Sequence, residues 1–186
     1  MRLYLGLVHS PIKNKRGEIV TTSVTNLDIH DISRSCKTFG VEKFFLVTPL
    51  KAQHELVERI LGHWKKEQSL AYNPDRQEAL EIAQLVNNIE ESKTYIKNKT
   101  GLEPLVVVTG ANFSKYSGQV KDLYAAIEID NRPVLLLFGT GYGLADSVLE
   151  DASFSLEPIN GPGNYNHLSV RSAVAIYLDR IQLGSF

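Results

Sequence analysis

The chain has 186 residues, 43% hydrophobic and 22% charged, which fits one folded domain over 1–186 and excludes a disordered tail. Twenty lysines and arginines face 21 aspartates and glutamates, so there is no global basic field, and contact with a polyanion needs a local patch. One cysteine excludes a disulfide framework and a cysteine-based zinc site, and it fits a reducing compartment.

Arg2 to Val8 is apolar with Tyr and Val, a first strand. The run is too short for a signal-peptide core or a membrane span and soon meets Pro11, Lys13, Lys15 and Arg16, so a soluble cytoplasmic protein is expected. Residues 9–26 are polar, with Pro, Gly, Thr and Ser, and read as a loop. Ile29, Ile32, Cys36 and Phe39 recur at helical spacing before Gly40, which predicts a helix over 28–39. Lys43 to Val47 reads as a buried strand. Leu56, Ile60, Leu61 and Trp64 predict a helix over 51–68, and Asn73-Pro74-Asp75 opens another to about Asn98. The stretch 51–100 is thus expected to be helical, an insertion or an outer layer.

Leu105 to Thr109 is a further strand, 118–127 a helix, and Val134 to Phe138 the most apolar strand. Phe154 to Ile159 is a last short strand or extended piece. A closing helix over 168–183 carries Val170, Val174, Tyr177 and Ile181 on one stripe, with Asn166 or His167 as its cap. Apolar strands alternating with amphipathic helices predict an α/β fold, a parallel sheet with helices on both faces. Ligands of such sheets sit beyond the strand C-termini.

Two glycine-rich turns fall there. Gly139, Gly141 and Gly143 follow the most apolar strand, and glycine lets a ligand approach the backbone closely. The spacing does not match a dinucleotide fingerprint, and no Gly-Lys-Ser/Thr follows for a phosphate-binding loop. The second turn, Glu157 to His167, holds two prolines and two glycines and runs into the last helix. A rigid turn of this kind presents N–H and C=O groups that can read an adenine edge or a carboxylate. A plain structural turn is the alternative at both places.

At these residues the chain resembles the SPOUT superfamily of S-adenosylmethionine-dependent RNA methyltransferases. Asn26-Leu27-Asp28-Ile29-His30-Asp31-Ile32-Ser33-Arg34 is similar to the first motif, Leu137-Phe138-Gly139-Thr140-Gly141-Tyr142-Gly143-Leu144 to the second, and Glu157-Pro158-Ile159-Asn160-Gly161 through His167-Leu168-Ser169-Val170-Arg171 to the third. The resemblance implies a C-terminal deep trefoil knot, a homodimer, S-adenosylmethionine as cofactor, and tRNA or rRNA as substrate. It leaves open whether a ribose oxygen or a base nitrogen is methylated. The implied cofactor residues are Leu137, Phe138, Gly139, Gly141, Gly143, Pro158, Ile159, Gly161, His167, Leu168 and Ser169, with adenine packed on Leu137, Ile159 and Leu168. Arg34 stands on the acceptor side, where a guanidinium can hold a phosphate or a developing oxyanion. Asp31, three residues earlier on the same helix face, can orient Arg34 or accept a proton, or be ion-paired. Lys13, Lys15 and Arg16 form the best basic patch for RNA. No metal and no membrane partner is expected. The competing reading is a non-catalytic module that binds S-adenosylmethionine or a nucleotide; a nicotinamide-dependent oxidoreductase is a third. Cys36 reads as a buried small hydrophobe and Trp64 as core or interface.

Overall fold

A computed structural model describes residues 1–64, 73–113 and 115–183. Six parallel strands form one sheet in the order β5-β4-β1-β7-β6-β8. They are β1 (Leu3–Val8), β4 (Lys43–Val47), β5 (Ala83–Val86), β6 (Leu105–Val108), β7 (Val134–Gly139) and β8 (Phe154–Ser155). Leu5 of β1 pairs with Phe44 on one side and Leu136 on the other, which sets the register at the centre.

The central strands are apolar at nearly every position because both sheet faces are covered. Leu3, Leu5, Leu7, Phe44, Leu46, Leu136 and Phe138 meet one helical layer. That layer is α1 (Asn26–Thr38), α2 (Lys51–Trp64), α3 (Pro74–Leu80), α5 (Val120–Asp130) and α7 (Val170–Leu183). Tyr4, Phe45, Val47, Val106, Leu135 and Leu137 point the other way, against α4 (Ile89–Thr100) and α6 (Asp146–Glu150).

Local chemistry sets the ends of these elements. Thr25 caps α1, its hydroxyl accepting from the N–H of Asp28 at 3.2 Å. The α1 stripe of Ile29, Ile32 and Cys36 is fully buried, each apolar side chain contributing about 1.5–3 kcal/mol. Gly101 ends α4 at φ +77, a left-handed position that glycine takes without strain.

Three expectations change. The helix over 73–98 is instead α3, β5 and α4: Ala83–Val86 joins the main sheet beside β4, and Asn88 caps a new helix by accepting from the N–H of Glu91. Residues 83–100 therefore belong to the sheet and its cover. The loop over 9–26 holds a small antiparallel hairpin, β2 (Ile12–Lys13) with β3 (Ile19–Val20). The short helix α6 was not expected from the pattern. Of the helix read over 51–68, residues 65–68 lie outside the described residues.

Candidate functional site

β1 ends at Val8 and β7 at Gly139, side by side. The chain leaving β1 continues toward β4, and the chain leaving β7 toward β8 across the sheet. A crevice opens where neighbouring strands send their chains apart. Polar side chains gather there. Nδ1 of His9 lies 3.0 Å from the Thr22 hydroxyl, Thr22 is hydrogen-bonded to Thr140, and the Thr140 hydroxyl donates to the Val8 carbonyl at 3.2 Å. Satisfying these contacts in series makes His9 Nδ1–H the donor to Thr22 and leaves Nε2 as a lone-pair acceptor. Nε2 is buried and has no hydrogen-bond partner among the described residues. Burial pushes the His9 pKa down to about 4, although the Asp28 carboxylate works in the opposite direction.

The Gly139–Gly143 turn packs on the β2 hairpin. The N–H of Lys13 donates to the Gly143 carbonyl at 2.9 Å, and the N–H of Tyr142 to the Lys13 carbonyl at 3.2 Å. A Cβ on Gly139 would lie 2.7 Å from the Leu144 nitrogen, so the chain's own packing requires glycine there. The two backbone bonds to Lys13 place the basic hairpin beside the turn. Lys13 is ion-paired with Asp146 at 2.6 Å, while Lys15 and Arg16 are exposed at the tip.

The loop from Glu157 to Ser169 leaves the end of β8, two strand spacings (about 10 Å) from β7. Its start is pinned. The Tyr177 hydroxyl donates to the Glu157 carbonyl at 2.7 Å, Pro158 is buried, and Ile159 packs on the core. Burial pushes the Tyr177 phenol up to about 12, so it remains a donor. Further on, the Asn166 amide donates to the Ala111 carbonyl at 3.2 Å, tying this loop to the turn after β6. The N–H groups from Asn160 to Leu168, Pro162 aside, donate to no protein group among the described residues. Tyr165 is 80% and Leu168 47% exposed. Ser169, not Asn166 or His167, caps α7, accepting from the N–H of Ser172 at 3.2 Å.

Leu137 does not share a face with Ile159 and Leu168. Its side chain is fully buried in the opposite core layer, and its carbonyl accepts from both the N–H and the hydroxyl of Thr109. The neighbour Phe138 faces the right way and packs on Tyr177.

On α1, Asp31 is paired with Arg171, 3.4 Å from its guanidinium, and Asp28 lies 3.7 Å from the same group. Arg171 therefore joins the start of α7 to the start of α1. Asp31, read as able to orient Arg34, is engaged with Arg171. Arg34, one turn further, is exposed and lines a groove against α2 and α3. Cys36 is buried, and burial pushes its thiol pKa well up, which makes it inert. The sequence reading missed His9, Thr22, Thr140 and the turn after β6. Their signal was position: Val8-His9 and Thr109-Gly110 both stand where buried strands end.

A family model described as SAM-dependent RNA methyltransferase matches residues 2–183. The chain belongs to this family. It is 42% identical over 181 residues to a tRNA (guanine-N(1)-)-methyltransferase of Oleidesulfovibrio alaskensis, covering 96% of this chain and 41% of that protein. It thus spans about two fifths of that relative's length. It is 36% identical over 181 residues to an uncharacterized protein of Aquifex aeolicus and covers 87% of it. Among solved structures, the SpoU methyltransferase AviRb of Streptomyces viridochromogenes matches with TM-score 0.60 at 15% identity, over 97% of this chain and 58% of that one, a likeness of fold.

For an S-adenosylmethionine-dependent methyltransferase the donor set fits. Nucleoside edges and the amino-acid carboxylate need N–H and C=O groups at fixed angles, and the stretch from Asn160 to Leu168 has them unengaged beside the apolar Ile159. No helix among the described residues is long and apolar enough to cross a membrane.

Proposed function

We propose that the chain binds S-adenosylmethionine at the C-terminal end of the sheet, between the Gly139–Gly143 turn, the turn after β6 and the Glu157–Ser169 loop, and methylates a tRNA nucleotide. The carrying observation is the loop with unpaired N–H groups, anchored at both ends by Tyr177 and Asn166. The tRNA assignment rests on the likeness to the Oleidesulfovibrio tRNA (guanine-N(1)-)-methyltransferase.

When bound, S-adenosylmethionine supplies an activated methyl group on a sulfonium. The protein's task is then positioning. N–H groups of Gly161, His167 and Leu168 hold the cofactor's polar edges. The side chains of Ile159 and Leu168 cover its apolar faces. Gly143 and the Phe138 backbone line the β7 side, Gly139 and Gly141 let the turn pack on Leu144 and the hairpin, and Pro158 and Ser169 fix the two ends of the loop. Arg34 holds the acceptor nucleotide by its phosphate and offsets charge on the attacking atom. Arg171, held by Asp28 and Asp31, keeps the start of α7 against α1. Lys15 and Arg16 steer RNA phosphates toward the turn.

We further read 1–186 as one methyltransferase domain, its C-terminal segment threaded as a trefoil knot, working as a homodimer in the cytoplasm. The likeness to a SpoU enzyme supports the knot, and the exposed Leu27, Tyr165 and Leu168 supply apolar surface for a second copy. The test is calorimetric titration with S-adenosylmethionine and its demethylated product, followed by methyl transfer to tRNA and nucleoside mass analysis. Binding of neither compound would refute the site, and the modified nucleoside reports whether oxygen or nitrogen accepts the methyl.

A further inference from the structure

Helices α1, α2 and α3 enclose an open groove of about 620 Å3 on the outer side of the α1 layer. Arg34, Arg59 and Arg76, one from each helix, line it. None of the three makes an ion pair among the described residues, and the one acid in the lining, Asp31, is engaged with Arg171, which it shares with Asp28. Three guanidiniums facing one space repel one another, a standing cost that an anion removes.

The groove also has an aromatic wall. The Arg76 guanidinium lies 5.1 Å from the Trp64 ring centroid, and the His30 ring meets Trp64 edge-on at 5.5 Å. Arg76 Nε and His30 Nδ1 are buried in this wall and have no hydrogen-bond partner among the described residues. Buried polar atoms without partners cost free energy unless a ligand engages them. Cationic side chains spread over three helices beside an aromatic ring suit several phosphates and a base better than one small anion.

We propose that this groove binds a single-stranded or looped stretch of RNA, with phosphates on Arg34, Arg59 and Arg76 and a base against the Trp64–His30 wall. The inference rests on the RNA methyltransferase reading and extends it, giving the substrate a track that ends at Arg34.

Trp64 is the chain's single tryptophan, so its fluorescence reports this site alone. The intact protein is titrated with total tRNA over a range of salt. Saturable quenching is expected, with log K falling against log salt at a slope of about −2 for three contacts to unpaired RNA. Arg59 is exposed, so Arg59→Gln should fold normally, checked by circular dichroism and a thermal melt. It should bind tRNA at least about fivefold more weakly and with a slope shallower by about 0.7, and Arg59→Glu more weakly still. Lys121→Gln, an exposed change on α5, controls for loss of charge alone.

Three results would overturn the groove. One is tRNA retained on a filter with Trp64 unchanged. Another is equal affinity of Arg59→Gln and the unaltered protein. The third is saturation by inorganic phosphate or polyglutamate at concentrations matching tRNA phosphate, which would make it a small-anion site or a protein-docking site. Cofactor titration of the unaltered protein runs in parallel; failure there refutes the catalytic site and leaves the groove standing.

Discussion

Arg34 carries the most exposed chemical assignment. Arg34→Ala should retain S-adenosylmethionine binding by calorimetry and lose methyl transfer about 10²–10³-fold, the usual loss when a charged donor to a reacting centre is removed. His9 makes a second test. Its pKa is depressed to about 4, so between the ordinary value and 4 the unfolded chain binds a proton that the folded one does not. The His9 contribution is fully present above about pH 6.5 and declines as pH falls toward 4, by about 3 kcal/mol in all. Denaturant melts across this range should show the decline, and His9→Gln should lose it. His9 stood in the sequence only as a histidine without metal spacing. Its burial beside Thr22 and Thr140 depends on residues 13 and 131 positions away, and no local pattern carries that contact.

The helices α1 and α7 are separated by most of the chain, yet Arg171 joins their N-termini across Asp28 and Asp31. The guanidinium is part-exposed, so its net worth is about 1 kcal/mol. Arg171→Met should lower the melting temperature by about 2–4 °C and weaken cofactor binding severalfold, because the end of the loop loses its tether. An unchanged affinity would separate the tether from the site. The strands Lys43–Val47, Leu105–Val108 and Val134–Gly139 were legible because strands covered on both faces are apolar throughout. Ala83–Val86 was not. It is an edge strand of four residues with Gln84 in it, and Ile82 before it, with Ala83 and Val86, also satisfies a helical spacing. Pairing with β4 settles the ambiguity.

For the assembled molecule, light scattering should give twice the mass of one chain, and a monomer that still methylates tRNA would remove the homodimer from the mechanism. Leu27, Tyr165 and Leu168 are the residues to alter. Their exposure brings apolar surface from α1 and the Glu157–Ser169 loop to the outside, and changing them to serine should shift the mass toward one chain.

The residue order alone was enough for the α/β class, the sites of both glycine turns, Arg34 on a helix face, and the likeness that named the family, since each of these is written in local spacing. The glycine turn shows where such spacing stops. Gly139 reads as room for a ligand, but the space beside it is taken by Leu144, and the loop with unengaged N–H groups leaves another strand. The fold had to bring those pieces together. It turned Leu137 away from the loop, paired Asp31 with Arg171, and set three arginines of α1, α2 and α3 around one groove. All three outcomes follow from contacts between segments far apart in the chain, where packing and charge, not periodicity, choose the partner.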